Sequence, residues 1–427
     1  MKINGTSSAD SLYGTSTADE IYGNGGNDTL KGFGGADRLD GGAGVDTAFY
    51  SDSSVAVGVN LASGLGFGGT AEGDTLVNIE NLYGSSFNDT LIGNDAANTF
   101  YGLTGNDLLK GGGGADRLVG DEGDDTLKGG GGADALVGGT GMDTADYTQS
   151  RVGVRVLLHA NRAYEGDAQG DTFSSIENIT GSQLGDTIEG DGYANLLRGQ
   201  EGNDYLFGGY GNDTLDGGPG NDHLYGESGR DTLIGGTSSD VYYVDDAGDR
   251  IVERAGEGND SVYTIVNYAL TPGAEVEYLS IQNLFDTTPI SLTGNEFANQ
   301  IVGNQGNNQI AGGAGSDRLY GNAGNDLFLF DSPLDAATNV DIIGDFRRND
   351  DSILLENRIF DAFAQGPLAE ERFVVGPAAL EANDTLIYNP ATGALLYDVD
   401  GSGPGAAIQF ARLPMNLAIT EDNFLIV

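Results

Sequence analysis

Residues 199–234 read GQEGNDYLF, GGYGNDTLD, GGPGNDHLY, GESGRDTLI, four consecutive nonapeptides in one register. Each has Gly first, Gly fourth, Asp sixth and Leu eighth, the last at Leu206, Leu215, Leu224 and Leu233. Glycine visits positive φ freely, so the first six positions make a turn whose carbonyls face inward. The last three positions are too few for a helix but enough for a short strand, with one side chain pointing in and its neighbours out. Each nonapeptide is therefore a turn plus a strand with one inward Leu. Two of them make a coil, and Asp residues two repeats apart stack, Asp204 over Asp222 and Asp213 over Asp231. Carboxylates and carbonyls between stacked turns are the oxygen donors that a hard cation such as calcium selects. One buried Leu per nine ordered residues is a thin source of stability against conformational entropy. Metal ligation is the natural missing contribution, because binding free energy becomes folding free energy when the unfolded chain has no site.

The same register recurs along the chain. A first run, 1–49, places Asp10, Asp19, Asp28, Asp37 and Asp46 at sixth positions. Its first two repeats, GTSSAD and GTSTAD, lack the fourth glycine and read as a cap with poorer metal sites. A second run, 84–146, carries Asp89, Asn98, Asp107, Asp116, Asp125, Asp134 and Asp143. A third, 181–243, carries Asp186, Asn195, Asp204, Asp213, Asp222, Asp231 and Asp240. A fourth, 294–329, carries Asn299, Asn308, Asp317 and Asp326. The sixth-position Asp residues from Asp28 onward are the expected calcium ligands. Asn is a neutral donor, so its turns are expected to bind more weakly. If each ion needs turns two repeats apart, the runs hold at most about 15 sites.

Two inserts of equal length, 50–83 and 147–180, interrupt the runs. They align with each other: Tyr147 on Tyr50, Asp171 on Asp74, and Ile176-Glu177-Asn178 on Ile79-Glu80-Asn81. Val55, Val57, Val59 and Leu61 alternate, which predicts a strand pair or an enlarged coil. Asp74 and Asp171 are read as turn residues in preference to ligands. A different insert, 244–293, has β-branched and aromatic residues between turn signals and predicts short strands. From 330 to 427 the glycine pattern stops, and turns at NPATG and DGSG predict hairpins. Asp398-Val399-Asp400-Gly401 fits a calcium loop and an ordinary Asp-Gly turn equally. The expected fold is all-β. A parallel β-roll of nonapeptides, a form of β-helix or solenoid, is interrupted by β inserts and capped by a C-terminal β-domain.

Composition narrows the function. Gly supplies 72 of 427 residues, far above the usual ~7 %. The net charge of −46 argues against nucleic acid and anionic membrane surfaces as partners. There is no Cys and hence no disulfide or thiol chemistry. No apolar run is long enough to span a bilayer. The start, MKINGTSSADSLYG, lacks basic and apolar leader regions, so no cleaved signal peptide is expected. The only histidines are His159 and His223, and neither H-E-x-x-H nor G-x-S-x-G occurs. His223 reads as an outward strand residue. The chain is expected not to be an enzyme; the rival expectation is a secreted enzyme acting on polysaccharide through carboxylates of the inserts or C-terminal domain. Tyr205, Tyr210, Tyr225, Tyr242 and Tyr243 read as strand-face packing in preference to a sugar-stacking stripe.

The nonapeptides resemble the RTX (repeats-in-toxin) family, the haemolysin-type calcium-binding repeats of proteins secreted by Gram-negative bacteria. The segment from Val340 looks like the C-terminal β-domain of serralysin-type proteases, through VDIIGDF, NDDSILL and TGALLYDVDGSG. The final EDNFLIV is similar to the tail of substrates of type I (ABC) exporters. The resemblance implies an uncleaved C-terminal signal, export in an unfolded, calcium-poor state, and folding on several Ca2+ ions outside the cell. Members usually carry a separate effector region, whereas these repeats begin at Gly5. A structural, adhesive or surface-associated role is therefore expected, with glycans or further copies of the chain as partners.

Overall fold

A computed structural model describes residues 1–427. The chain is built of short strands and turns with five 3-10 turns and no α-helix, as the nonapeptide pattern predicts. Met1–Asp222 and His223–Val427 form two compact units, so the division falls inside the third run.

In the first unit, strands two repeats apart pair in parallel with an 18-residue step. Leu108–Gly113 pairs with Thr126–Gly131, placing Leu109 against Leu127. On the opposite side of the coil Arg117–Glu122 pairs with Ala135–Thr140, placing Leu118 against Leu136. The eighth-position side chains Leu91, Leu109, Leu118, Leu127, Leu197, Leu206 and Leu215 are fully buried. Each strand thus contributes one rung to an apolar stack, the only core that so thin a coil has room for. The fourth-position glycines provide the turn. Gly132 has φ +156, and a Cβ there would overlap the carbonyl oxygen of Gly114 one coil earlier. Glycine is needed at that position for both conformation and close approach.

The two equal inserts fold alike. Gly58–Asn60 turns back on Leu65–Phe67 as an antiparallel hairpin and also pairs in parallel with Thr90–Ile92. Arg155–Leu157 does the same with Arg162–Tyr164 and Thr187–Glu189. Thr75–Val77 and Thr172–Ser174 then rejoin the roll beside Arg38–Asp40 and Ala135–Thr140. Each insert is therefore a coil that carries an additional hairpin, combining the two arrangements its sequence suggested.

In the second unit the coil continues through 244–293 with uneven steps. Val241–Val244, Ser261–Thr264, Tyr278–Ile281, Gln300–Val302 and Arg318–Tyr320 pair successively in parallel. The C-terminal segment extends both faces. Asp341–Ile343 joins one, and Ser352–Leu355 with Phe424–Ile426 joins the other. Antiparallel strands Leu386–Asn389, Ala394–Tyr397 and Ile408–Arg412 follow the expected hairpin turns. Here the core is aromatic: Phe410 packs edge-on against Phe330 at 5.1 Å and Phe360 at 5.0 Å. The tail is part of this structure, with Phe424 and Ile426 buried and a capping box between Thr420 and Asn423. No helix is long and apolar enough to cross a membrane.

Candidate metal centre

Each sixth-position Asp immediately precedes its strand, so the strand pairing that fixes the Leu stack also fixes the carboxylates. The Asp107 carbonyl accepts the N–H of Thr126 at 2.9 Å, which locks the turn to the next coil. Its carboxylate reaches the other way: Oδ1 accepts the N–H of Asp89 at 2.7 Å. This contact repeats as a ladder. The N–H of Asp28 donates to Asp46, Asp107 to Asp125, Asp116 to Asp134 and Asp125 to Asp143, all at 2.7–2.8 Å. Asp186 donates to Asp204 at 2.7 Å and Asp204 to Asp222 at 2.8 Å, the stacking expected of that pair. Asp213 accepts from the N–H of Asn195 at 2.8 Å.

One oxygen of each carboxylate is thereby used. The other, Oδ2, is buried without a hydrogen-bond partner in Asp28, Asp37, Asp46, Asp107, Asp116, Asp125, Asp134, Asp143, Asp204, Asp317 and Asp326. Each of these oxygens points at the glycine that opens its own turn. A Cβ on Gly102, Gly111 or Gly120 would overlap Oδ2 of Asp107, Asp116 or Asp125. The same space meets a carbonyl oxygen of the following coil: Gly120 for Gly102, Gly129 for Gly111 and Gly138 for Gly120. An orphaned carboxylate oxygen and a backbone carbonyl thus converge where glycine leaves a hollow. Buried polar groups are rarely left unpaired, and all donors here are oxygens, so the residues fit a hard cation. Burial in this row raises the carboxyl pKa to about 7 for Asp107, Asp116 and Asp143, and about 8 for Asp204.

Other rungs of the ladder are closed by the protein itself. In Asp10 and Asp19 the second oxygen accepts the hydroxyl of Thr6 or Thr15, each at 2.8 Å, in the two repeats that lack the fourth glycine. Asp89 and Asp186, expected as ligands, face the same glycine hollows at Gly84 and Gly181, but both oxygens of each also accept hydrogen bonds from the protein. Asp89 Oδ1 accepts from Val57 N–H at 2.7 Å and Ser85 hydroxyl at 2.8 Å, and its Oδ2 takes the N–H of Ser85. Asp186 is held identically by Val154 and Ser182. A Ser or Thr at the second repeat position is the sequence signal that marks these turns. Asn98 and Asn195 also close their turns, donating through the amide to the carbonyls of Glu80 at 2.9 Å and Glu177 at 2.8 Å.

Asp74 and Asp171 end turns, as read from sequence, with their N–H groups donating to the carbonyls of Ala71 and Ala168, each at 3.1 Å, and they are also part of the ladder. They are fully buried ladder rungs, accepting from Asp37 and Asp134 N–H at 2.8 Å. Their remaining oxygens accept the hydroxyls of Tyr50 at 3.2 Å and Tyr147 at 2.9 Å. Burial lifts both carboxyls to about 7 and both tyrosines well above their ordinary value. Glu80 and Glu177 serve as the next rungs, for Asp46 and Asp143.

The ladder also continues where the nonapeptide register stops. Asp231 donates to Asp249 at 3.0 Å, Asp240 to Asp260 at 2.8 Å and Asp260 to Glu277 at 2.6 Å. Asp317 and Asp326 donate to Asp341 at 3.0 Å and Asp351 at 3.1 Å, in the segments VDIIGDF and NDDSILL. The motif GEGND at 256–260 was the readable sign of one of these rungs.

The remaining candidates gather no site. His159 is exposed and lies 3.7 Å from Glu189. His223 is half-buried beside the Tyr243 ring. Tyr242 is buried and Tyr225 stacks on Tyr243 at 4.0 Å, as strand-face packing predicts, whereas Tyr205 and Tyr210 are exposed. At Asp398–Gly401 the turn bonds are backbone ones, Gly403 N–H to the Asp400 carbonyl at 3.0 Å among them, while the Asp400 carboxylate accepts the N–H of Gly405 at 3.0 Å and keeps Oδ1 buried without a partner, which fits both readings.

The sequence profile of the RTX calcium-binding nonapeptide repeat (4 copies) matches residues 13–48, 78–109, 110–145, 180–215, 207–242, 216–251 and 293–328. These repeats bind Ca2+, and the chain carries several copies of them. The hairpins of the two equal inserts, most of 244–293 and everything beyond 328 lie outside the matches. No curated protein matches the chain significantly.

Proposed function

We propose that this calcium-binding RTX-repeat chain is a secreted, non-enzymatic protein that folds on calcium outside the cell and serves there as a structural or adhesive element. The observation that carries the reading is the row of buried, unpartnered Asp Oδ2 oxygens over the glycine hollows. Calcium, when bound, supplies positive charge between rungs that otherwise repel. Asp28, Asp37 and Asp46 would hold it in the first run, Asp107, Asp116, Asp125, Asp134 and Asp143 in the second, Asp204, Asp213, Asp222, Asp231 and Asp240 in the third, and Asp317 and Asp326 in the fourth. Glycine at the first and fourth positions keeps the hollow open. The eighth-position side chains exclude water from the inner side of each rung.

Several features support export. Sites of extracellular calcium modules fill at about 10⁻⁴–10⁻³ M, so the chain would stay open where calcium is scarce. Its tail resembles that of type I substrates. Because Phe424–Ile426 is a strand in the folded chain, the tail is presented to an exporter only before folding. The serralysin-like cap then forms with the roll, through Asp341 and Asp351.

The role is tested by sedimentation and by adherence of the labelled full chain to cells and immobilised glycans, in about 1 mM calcium and in chelator. Calcium-dependent self-association or adherence is the expected result. Turnover of a polysaccharide by a calcium-loaded chain that neither associates nor adheres would overturn it in favour of an enzyme.

A further inference from the structure

Position 253 carries Glu where the coil calls for glycine. Thr232–Thr237 pairs in parallel with Arg250–Val252, Ile234 opposite Val252, so Glu253 lies over Gly235, the first glycine of the last repeat in its run. Its side chain folds back into that repeat's hollow. A Cβ on Gly235 would overlap Tyr242 Oη, Asp240 Oδ2 and Glu253 Oε1, so three side-chain oxygens converge on one point. Asp240, Glu253 and Asp260 are all buried, and each offers a carboxylate oxygen within 4.8 Å of the other two. Glu253 is only 4 % exposed; its Oε1 accepts the Tyr242 hydroxyl, while its Oε2 is buried without a partner. The adjacent cation, Arg254, turns instead to Glu257 at 3.6 Å.

We propose that Asp240, Glu253 and Asp260 form a three-carboxylate Ca2+ site, which takes Asp240 from the last repeat of its run, adds Glu253 and Asp260 from beyond it, and is tighter than the ordinary nonapeptide sites. The donors are all oxygen, which selects a hard cation over zinc or copper. Calcium affinity rises with the number of charged ligands and with site rigidity. An ordinary rung offers the hollow one orphaned carboxylate and backbone carbonyls; this one brings three carboxylates. The Asp260 rung is anchored on both sides, accepting from Asp240 N–H and donating its own N–H to Glu277. The Tyr242 hydroxyl, in the same hollow, holds Glu253 through Oε1 and leaves Oε2 for the ion. The inference rests on the calcium reading above for the ion and for Asp240, which lies in a matched repeat, whereas Glu253 and Asp260 lie outside the matches.

The test uses the full chain with calcium counted by equilibrium dialysis, and with terbium as a luminescent probe excited through tyrosine. Glu253→Gln keeps the shape and removes one charge. It should lose one bound Ca2+ per chain and the tightest phase of the terbium titration, with the weaker phases intact. Tyr242→Phe should keep the ion count and lower the tyrosine-sensitised emission of that phase. An unchanged count and an unchanged tight phase in Glu253→Gln would overturn the site, whatever the repeats do. One tight ion with no further binding would sink the repeat reading and leave this site standing. Should Glu253→Gln fail to fold, Tyr242→Phe decides: undiminished emission overturns the proposal.

Discussion

Two kinds of rung share one ladder. In the second run, Asp107, Asp116, Asp125, Asp134 and Asp143 each keep one oxygen unpartnered over a glycine hollow. At the two equal inserts, Asp74 and Asp171 occupy the same ladder, but Tyr50 and Tyr147 take the second oxygen. Both kinds accept the backbone N–H of the preceding coil at 2.7–2.8 Å. The difference is whether the protein or an ion from solution completes the carboxylate. On the proposed function, open rungs would make folding conditional on calcium, and closed rungs, placed at the inserts and at the N-terminal end, would hold their turns without it. The lesson is that the local donor, not the backbone of the roll, decides which turns are left for a metal.

Breaking the shared part should cost both kinds alike. Leu127→Ala beside the open rungs and Phe173→Ala on the strand that follows Asp171 each empty a buried site, and each should lose about 2–5 kcal/mol in calcium-loaded unfolding. A loss confined to one of them would mean that the apolar stack is not uniform. The carboxylates should separate the two kinds. Asp116→Ala should remove at least one bound calcium and raise the calcium midpoint several-fold. Asp171→Ala should leave the count unchanged and cost about 1–3 kcal/mol through the orphaned Tyr147 hydroxyl, with or without calcium. Equal ion counts in the two variants would erase the distinction.

A closed rung should also be convertible. Tyr147→Phe strips the donor from Asp171 Oδ2 at a cost of about 1–3 kcal/mol at the lowest calcium that supports folding. Added calcium should recover part of that loss, which dialysis would register as an additional ion. Recovery no greater than in the unmodified chain would show that the hollow at Asp171 cannot take one.

The smallest effect is that of pH. Folded-state burial raises Asp204 from 3.8 to about 8 and Asp107 to about 7, so the calcium-free folded chain binds more protons than the unfolded one. Its stability is then fully present below about 4 and is lost as pH rises through about 7–8. In chelator the far-UV β signal should grow as pH falls from about 8 to about 5, protons standing in for calcium at the open rungs. A signal that shrinks over that interval would mean that these carboxyls stay ionised in the calcium-free fold.

The sequence disclosed what repeats at a constant step. The glycine hollow, the inward Leu and the stacked Asp all follow from a nine-residue register, and Asp204 over Asp222 is found as expected. The eleven orphaned Oδ2 oxygens over the glycine hollows belong to residues picked out by that register, whereas the orphaned Glu253 Oε2 lies outside it. Rungs with irregular steps stayed hidden. Asp74 lies 37 residues from Asp37, Asp351 lies 25 from Asp326, and Asp260 lies 20 from Asp240, because hairpins and wide coils intervene. A rung is defined by where a carboxylate meets a backbone N–H, and a fixed spacing reports this only where coils have equal length. The part that donors play was hidden too. Ser85 and Ser182 at second repeat positions are legible in the sequence, but what they signal, a hydroxyl given to Asp89 and Asp186, is seen only in their contacts.

Far-UV circular dichroism during a calcium titration of the full chain, started in chelator with magnesium as control, tests the central claim most directly. Open rungs predict a cooperative gain of β structure near ~10⁻⁴–10⁻³ M calcium, with no response to magnesium over that range. A complete β spectrum in chelator, unchanged by calcium, would contradict the account: the unpartnered carboxylates would then be tolerated by packing alone.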